Sequence, residues 1–310
     1  MLTRRTLLQS SAGLLGLALG APAIPALADP PRVPPPRGLS MLDLTVEGPR
    51  EFGRRFTLFL PTHLAPGERA PLLVLLHGLG ESGDPALGVF AWHERYGLGA
   101  AYDRLLSPPI LRTSKRNDIR DEQLAALNAS LVAQPFRGLC IACPFTPNLG
   151  RMPNPAATHE AYATWLCDVV IPRARKEAQV SPDPAHTYLD GCSMGGPIGL
   201  ETLLRRPDQF AAWGAVQSAF STDRAHFLAD RLSSIVPKMA RLPGKGPSTA
   251  IHLETSSGDP FHEANLALSK ELSKKGIAHD VLDLPGPHDQ PWLREAGTLA
   301  MLLWYAQRPR

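Results

Sequence analysis

The stretch Gly191-Cys192-Ser193-Met194-Gly195-Gly196 limits what this chain can fold into more than any other. It follows His186 to Asp190, which reads as a strand, and precedes Gly196 to Arg206, which reads as a helix. Pro197 sits near the helix start, where a missing N–H is tolerated. A serine in that place must project from a sharp strand-to-helix turn, and only residues without a Cβ let the two backbones come so close. Gly191 and Gly195 supply the clearance, which makes Ser193 a candidate nucleophile. A Gly-x-Ser-x-Gly pattern is common by chance, so its weight rests on the flanking elements and on the partners that a serine would need.

A serine hydroxyl is a weak nucleophile at neutral pH and requires a histidine base, an acid that orients the base, and donors for an oxyanion. Downstream, Thr249 to Thr255 looks like a buried strand and runs into Ser256-Ser257-Gly258-Asp259-Pro260. Asp259 is the candidate acid. It is equally a good helix N-cap with Pro at the first helical position, and the two roles are compatible. The next strand, His279 to Leu284, ends in the stiff loop Pro285-Gly286-Pro287-His288-Asp289, where His288 is the candidate base. His262 falls within a helix beginning at Asp259 and His279 at the start of a strand, so both are weaker candidates. Asp289, next to His288 in an extended loop, points away from it. For the oxyanion, the apolar run Leu72 to Leu76 reads as a central buried strand. It leads into His77-Gly78-Leu79-Gly80-Glu81, and the expected donors are the backbone N–H groups of Leu79 and Met194.

Together these four stations, from His77-Gly78-Leu79 through Gly191 to Gly196 to Asp259 and His288, resemble the α/β-hydrolase superfamily. Within it they are most similar to the secreted esterase group of feruloyl and acetylxylan esterases, S-formylglutathione hydrolase and the mycolyltransferases. The resemblance implies an α/β domain with a mostly parallel sheet and helices on both faces, and an acyl-enzyme formed on Ser193 without cofactor or metal. It implies hydrolysis of a small-molecule or polysaccharide ester. Transfer of the acyl group to a sugar or lipid hydroxyl is the second reading, and a secreted binding protein on the same scaffold the third. One departure stands out: a long insertion, Glu81 to Phe136, fills the place of one short helix.

The ends of the chain point to export. Arg4 and Arg5 precede a modest apolar stretch, Ala12 to Leu19, and Ala26-Leu27-Ala28 forms a small-x-small cleavage site. Residues 1–28 therefore read as a twin-arginine-like signal for a periplasmic or extracellular protein, and the apolar stretch is too short for a membrane span. Asp29 to Gly38 is too proline-rich to pack and reads as an extended tether outside the fold, leaving 39–310 as one domain. Losing residues 1–28 removes Arg4 and Arg5 and no acid, so the formal charge falls from +3 to +1, which gives no electrostatic reason to bind nucleic acid. Nothing indicates an oligomeric state.

Cys140 and Cys143 form a C-x-x-C, but inside a strand pattern. Three residues of strand span about 10 Å, beyond the roughly 7 Å that a disulfide tolerates. No further Cys or His spacing completes a zinc site, so the four cysteines read as structural thiols.

Leu42 to Glu47 and Arg54 to Leu60 suggest leading antiparallel strands. Six more strands then alternate with helices: 72–76, 139–143, 187–190, 213–217, 251–255 and 281–284. In the insertion, Phe90, Trp92 and Tyr96 either line an acyl pocket or pack under a long loop, and 118–134 reads as a helix. Arg112, Lys115, Arg116 and Arg120 read as a solvated charged face. Trp92 and Trp292 are candidate substrate contacts.

Overall fold

The computed structural model describes residue 33 and residues 36–241 and 250–309. The expected export signal, 1–28, and most of the tether lie outside the described residues.

Eight strands form one sheet: β1 (Leu39–Thr45), β2 (Arg55–Pro61), β3 (Leu72–Leu76), β4 (Cys140–Pro144), β5 (Thr187–Gly191), β6 (Ala212–Val216), β7 (Ile251–Gly258) and β8 (Asp280–Pro287). Their spatial order is β1-β2-β4-β3-β5-β6-β7-β8. β1 pairs antiparallel with β2, and β2 with β4, as the alternating leading segments predict. Every pair from β4 to β8 is parallel. The longer helices are α1 (Leu98–Leu106), α2 (Asp121–Ala133), α3 (Pro155–Trp165), α4 (Gly195–Arg205), α5 (Ala225–Ile235), α6 (His262–Lys274) and α7 (Thr298–Ala306).

The period-2 geometry of β3 divides the core into two layers. Leu72, Val74 and Leu76 pack with Tyr162 of α3, Ile198 of α4, Leu232 of α5 and Leu268 of α6. Leu73 and Leu75 face the other way, against Tyr102 of α1, Leu131 of α2 and Met301 of α7. All five residues of β3 are fully buried. At about 2 kcal/mol for each buried leucine or valine side chain, this strand is firmly held and a rigid base for the turn that follows it.

Two expectations shift. The end of the Pro-rich stretch was expected outside the fold, yet the Arg37 and Gly38 N–H groups both donate to the Asp103 carboxylate of α1, at 3.0 and 2.8 Å. The strand expected over 213–217 stops at Val216, because Gln217 turns into the left-handed region with φ +44°. All four cysteines are buried, and none is in a disulfide. Among the described residues, no helix is long and apolar enough to cross a membrane.

Candidate active site

Ser193 sits between β5 and α4 with φ +51°, a region that non-glycine residues rarely occupy and that costs on the order of 1–3 kcal/mol. Its surroundings hold it there. The Ser193 N–H donates to Val216 O at 2.9 Å, and its carbonyl accepts from the N–H groups of Gly196 and Ala219 at 3.2 and 3.0 Å. A Cβ on Gly191 would lie 2.3 Å from the Gly195 carbonyl, and one on Gly195 would lie 2.4 Å from Leu76 O. The elbow therefore closes only with glycine at both places.

The parallel topology carries two further groups to the same edge of the sheet. Asp259 follows β7 and His288 follows β8. His288 Nε2 lies 3.1 Å from Ser193 Oγ, and His288 Nδ1 lies 2.9 Å from Asp259 Oδ1. Asp259 is buried and accepts two further bonds, from the Phe261 N–H at 3.0 Å and from the Thr255 hydroxyl at 3.2 Å. With donors already converging on the carboxylate, the proton between Asp259 and His288 belongs on Nδ1, which leaves Nε2 bare and facing the serine hydroxyl. The bond to the Phe261 N–H closes a turn ahead of α6, whose N-cap is Phe261 and not Asp259 as expected: the carboxylate is turned to His288 and the helix begins only at His262.

The turn after β3 is held from beneath. The buried His77 accepts the Thr146 N–H at Nε2, 2.9 Å away, so its own proton is on Nδ1 and is donated to Gly78 O at 2.9 Å. Burial lowers the His77 pKa to about 4, which keeps the ring neutral. The Tyr96 hydroxyl accepts the Gly78 N–H at 3.2 Å and donates to the buried Glu81 carboxylate. In a trans peptide the C=O and the following N–H point in opposite directions. With Gly78 O drawn inward by His77, the Leu79 N–H turns outward. The same reasoning applies to the 193–194 peptide: the Ser193 carbonyl is engaged by Gly196 and Ala219, so the Met194 N–H points the other way, at the positive end of α4.

A cleft of about 310 Å³ opens over Ser193, lined by Leu79, Glu81, Tyr96, Gln217, His288 and Gln290 among others. Ser193, Asp259 and His288 are thus brought together, with the Leu79 and Met194 amides beside them. Trp92 and Trp292, expected as substrate contacts, are not part of this lining. Both are fully buried. Trp92 stacks edge-on against Tyr96, with ring centroids 5.2 Å apart. Trp292 donates its Nε1–H to Pro285 O at 2.9 Å, bracing the histidine loop from inside. Of the weaker histidines, His262 contacts Asp283 and His279 contacts Ser269.

Five residues have parts here that the sequence does not spell out. His77 reads as part of the oxyanion turn with no task assigned to its ring, and no motif joins Glu81 to Tyr96, a candidate pocket residue. Gln217 donates to Ser256 Oγ at 2.6 Å and to Pro287 O at 3.1 Å, tying the ends of β6, β7 and β8 together. Arg116, expected on a solvated face, bonds both Asp118 and Asp289.

No protein-family model matches the sequence, and no curated protein matches it. Solved structures do. A ferulic acid esterase superposes with a TM-score of 0.61 at 16% identity, covering 87% of this chain and 98% of that one. Fluorophosphonate-binding serine hydrolase F of Staphylococcus aureus, with substrate bound, gives 0.56 at 13% identity over 87% and 99% of the two chains. An S-formylglutathione hydrolase of S. aureus gives 0.51 at 16% over 88% and 99%. With the strand order above, these likenesses show that the chain has the α/β-hydrolase fold.

Proposed function

We propose that this chain is an exported serine ester hydrolase working through an acyl-enzyme on Ser193. The observation that carries this reading is the continuous bonding from Asp259 to His288 to Ser193, at 2.9 and 3.1 Å, ending on a positive-φ elbow. His288 Nε2 takes the hydroxyl proton as Oγ attacks the acyl carbonyl. The Leu79 and Met194 N–H groups receive the oxyanion. His288 then passes its proton to the leaving alkoxide, and water, deprotonated by the same nitrogen, releases the acid. Asp259 holds the ring in the tautomer this requires and stabilises the imidazolium between the two transfers. No step calls on a cofactor or metal.

That the superposable proteins include a ferulic acid esterase and an S-formylglutathione hydrolase supports an ester or thioester substrate. Purified protein lacking residues 1–28 is expected to label covalently at Ser193 with a fluorophosphonate probe and to cleave p-nitrophenyl esters. Assays over increasing acyl length, with feruloyl and acetylated sugar esters alongside, define the preferred acyl group. Ser193→Ala is expected to abolish both labelling and turnover with the fold intact. Labelling at a different serine, or turnover retained in Ser193→Ala, would remove the reading.

A further inference from the structure

The loop that carries His288 is gripped by the insertion. Arg116 spreads its guanidinium between two carboxylates: Nε and Nη2 donate to Asp118 at 2.6 and 3.3 Å, and Nη1 and Nη2 donate to Asp289 at 3.0 Å each. Asp289 directly follows His288, and its Oδ1 also accepts the Trp292 N–H at 2.8 Å. Asp118 is buried and packs on Gly286 of the same loop, where its Oδ1 stands 2.7 Å from the place a Cβ would take. Gly286 has φ +118°, so no side chain could fill that space instead. Pro285 is held by Trp292 and Pro287 by Gln217. Among the described residues, Arg116 is the cation that both Asp118 and Asp289 meet. Removing it would leave one buried carboxylate and one half-buried carboxylate facing each other across the backbone that presents the imidazole.

We propose that Arg116 is a positioning residue for His288: by bridging Asp118 to Asp289 it fixes the 285–289 loop so that Nε2 meets Ser193 Oγ, and this gives the insertion a part in catalysis. The proposal rests on the serine hydrolase reading for its kinetic consequence, though not for its structural one. A planar fork is required for all four bonds, because an ammonium has only three N–H donors and cannot grip both carboxylates in pairs. The charges around His288 are those of Asp259 on its Nδ1 side, Asp289, Arg116 and Asp118 on the loop side, and Glu81 beyond Gln290. Of these groups Arg116 is the cation, so its loss leaves carboxylates alone on the loop side of the ring.

The test uses the protein lacking residues 1–28 as wild type, Arg116→Ala and Arg116→Lys. Both variants are expected to lose about 10- to 100-fold in kcat, with KM within about twofold, since misplacement of a reacting group by about 1 Å costs on that order. The acid limb of kcat/KM is expected to move upward in Arg116→Ala, and added guanidinium is expected to recover part of the loss in that variant. Turnover within twofold of wild type overturns the proposal, and so does a loss with an unmoved acid limb and no guanidinium rescue, the signature of general destabilisation. Titration of the His288 ring by NMR, compared between wild type and Arg116→Ala, reads the same displacement without substrate. Identical titration overturns the proposal even where turnover is unmeasurable. Failure of wild type to label at Ser193 would instead sink the hydrolase reading.

Discussion

Replacing Asp259 with asparagine separates charge from geometry in a way this site makes unusually clean. Asp259 Oδ1 receives both the His288 Nδ1–H and the Phe261 N–H, while Oδ2 receives the Thr255 hydroxyl. An asparagine keeps its carbonyl oxygen at the first position, because the Phe261 N–H demands an acceptor there. Its NH₂ then donates to Thr255 Oγ, a hydroxyl that can accept as readily as donate. The tautomer of His288 is preserved and the helix-start turn survives. What disappears is the negative charge beside the imidazolium formed in each transfer. With charge centres about 4 Å apart and an effective dielectric of about 20, that interaction is on the order of 4 kcal/mol, or about 10³ in rate. Neutralising a triad acid with the wrong tautomer costs about 10⁴. The expected loss in kcat for Asp259→Asn is therefore about 10³, with KM and melting temperature little changed. Stopped p-nitrophenyl ester assays with a parallel thermal melt measure both. A kcat within tenfold of wild type would show that Asp259 serves only the turn before α6 and that another group supports the base.

Two further outcomes are expected. Burial raises the Asp190 pKa to about 8, so relative to an unfolded aspartate near 3.9 the folded chain holds an extra proton and loses stability as pH rises from about 4 to about 8, by about 4 kcal/mol at pH 7. Asp190→Asn, whose amide can donate to the Tyr305 hydroxyl while that hydroxyl donates to Leu189 O, is expected to flatten this dependence in denaturant titrations between pH 5 and 8, and parallel curves would refute the account. Changing Arg4 and Arg5 to lysine keeps a positive leader but removes the pair a twin-arginine receptor reads. Folded protein is then expected to stay in the cytoplasm, and fractionation showing unchanged export would rule that route out.

The sheet was legible because its strands announce themselves twice, once as apolar runs such as Leu72 to Leu76 and again as the breakers that end them. The elbow was legible because steric exclusion leaves a written trace: a Cβ at Gly191 or Gly195 would strike backbone, so only glycine stands there. Asp259 and His288 could be located because the strands that carry them end in recognisable loops. Side-chain partnerships across the insertion left no such trace. Arg116 reaches Asp289 across 173 positions of sequence, and a charged residue in a polar stretch looks the same whether it meets water or a carboxylate. Trp92 and Trp292 misled for the converse reason: large aromatics near a site in sequence serve the core as readily as a substrate, and here burial decided for the core.

Among the described residues, the sheet order leaves β8 as an outer strand, paired with β7 alone. During synthesis it emerges after the other seven strands, about 90 residues behind Ser193. His288, the partner of the Ser193 hydroxyl, therefore arrives with the last of the eight strands. Such a rim strand frays before the interior of a sheet does, so heat or denaturant is expected to silence Ser193 while β3 to β6 still stand. Reactivity at this serine then reports on whether the C-terminal end of the chain has docked, which makes it a sensitive gauge of completed folding.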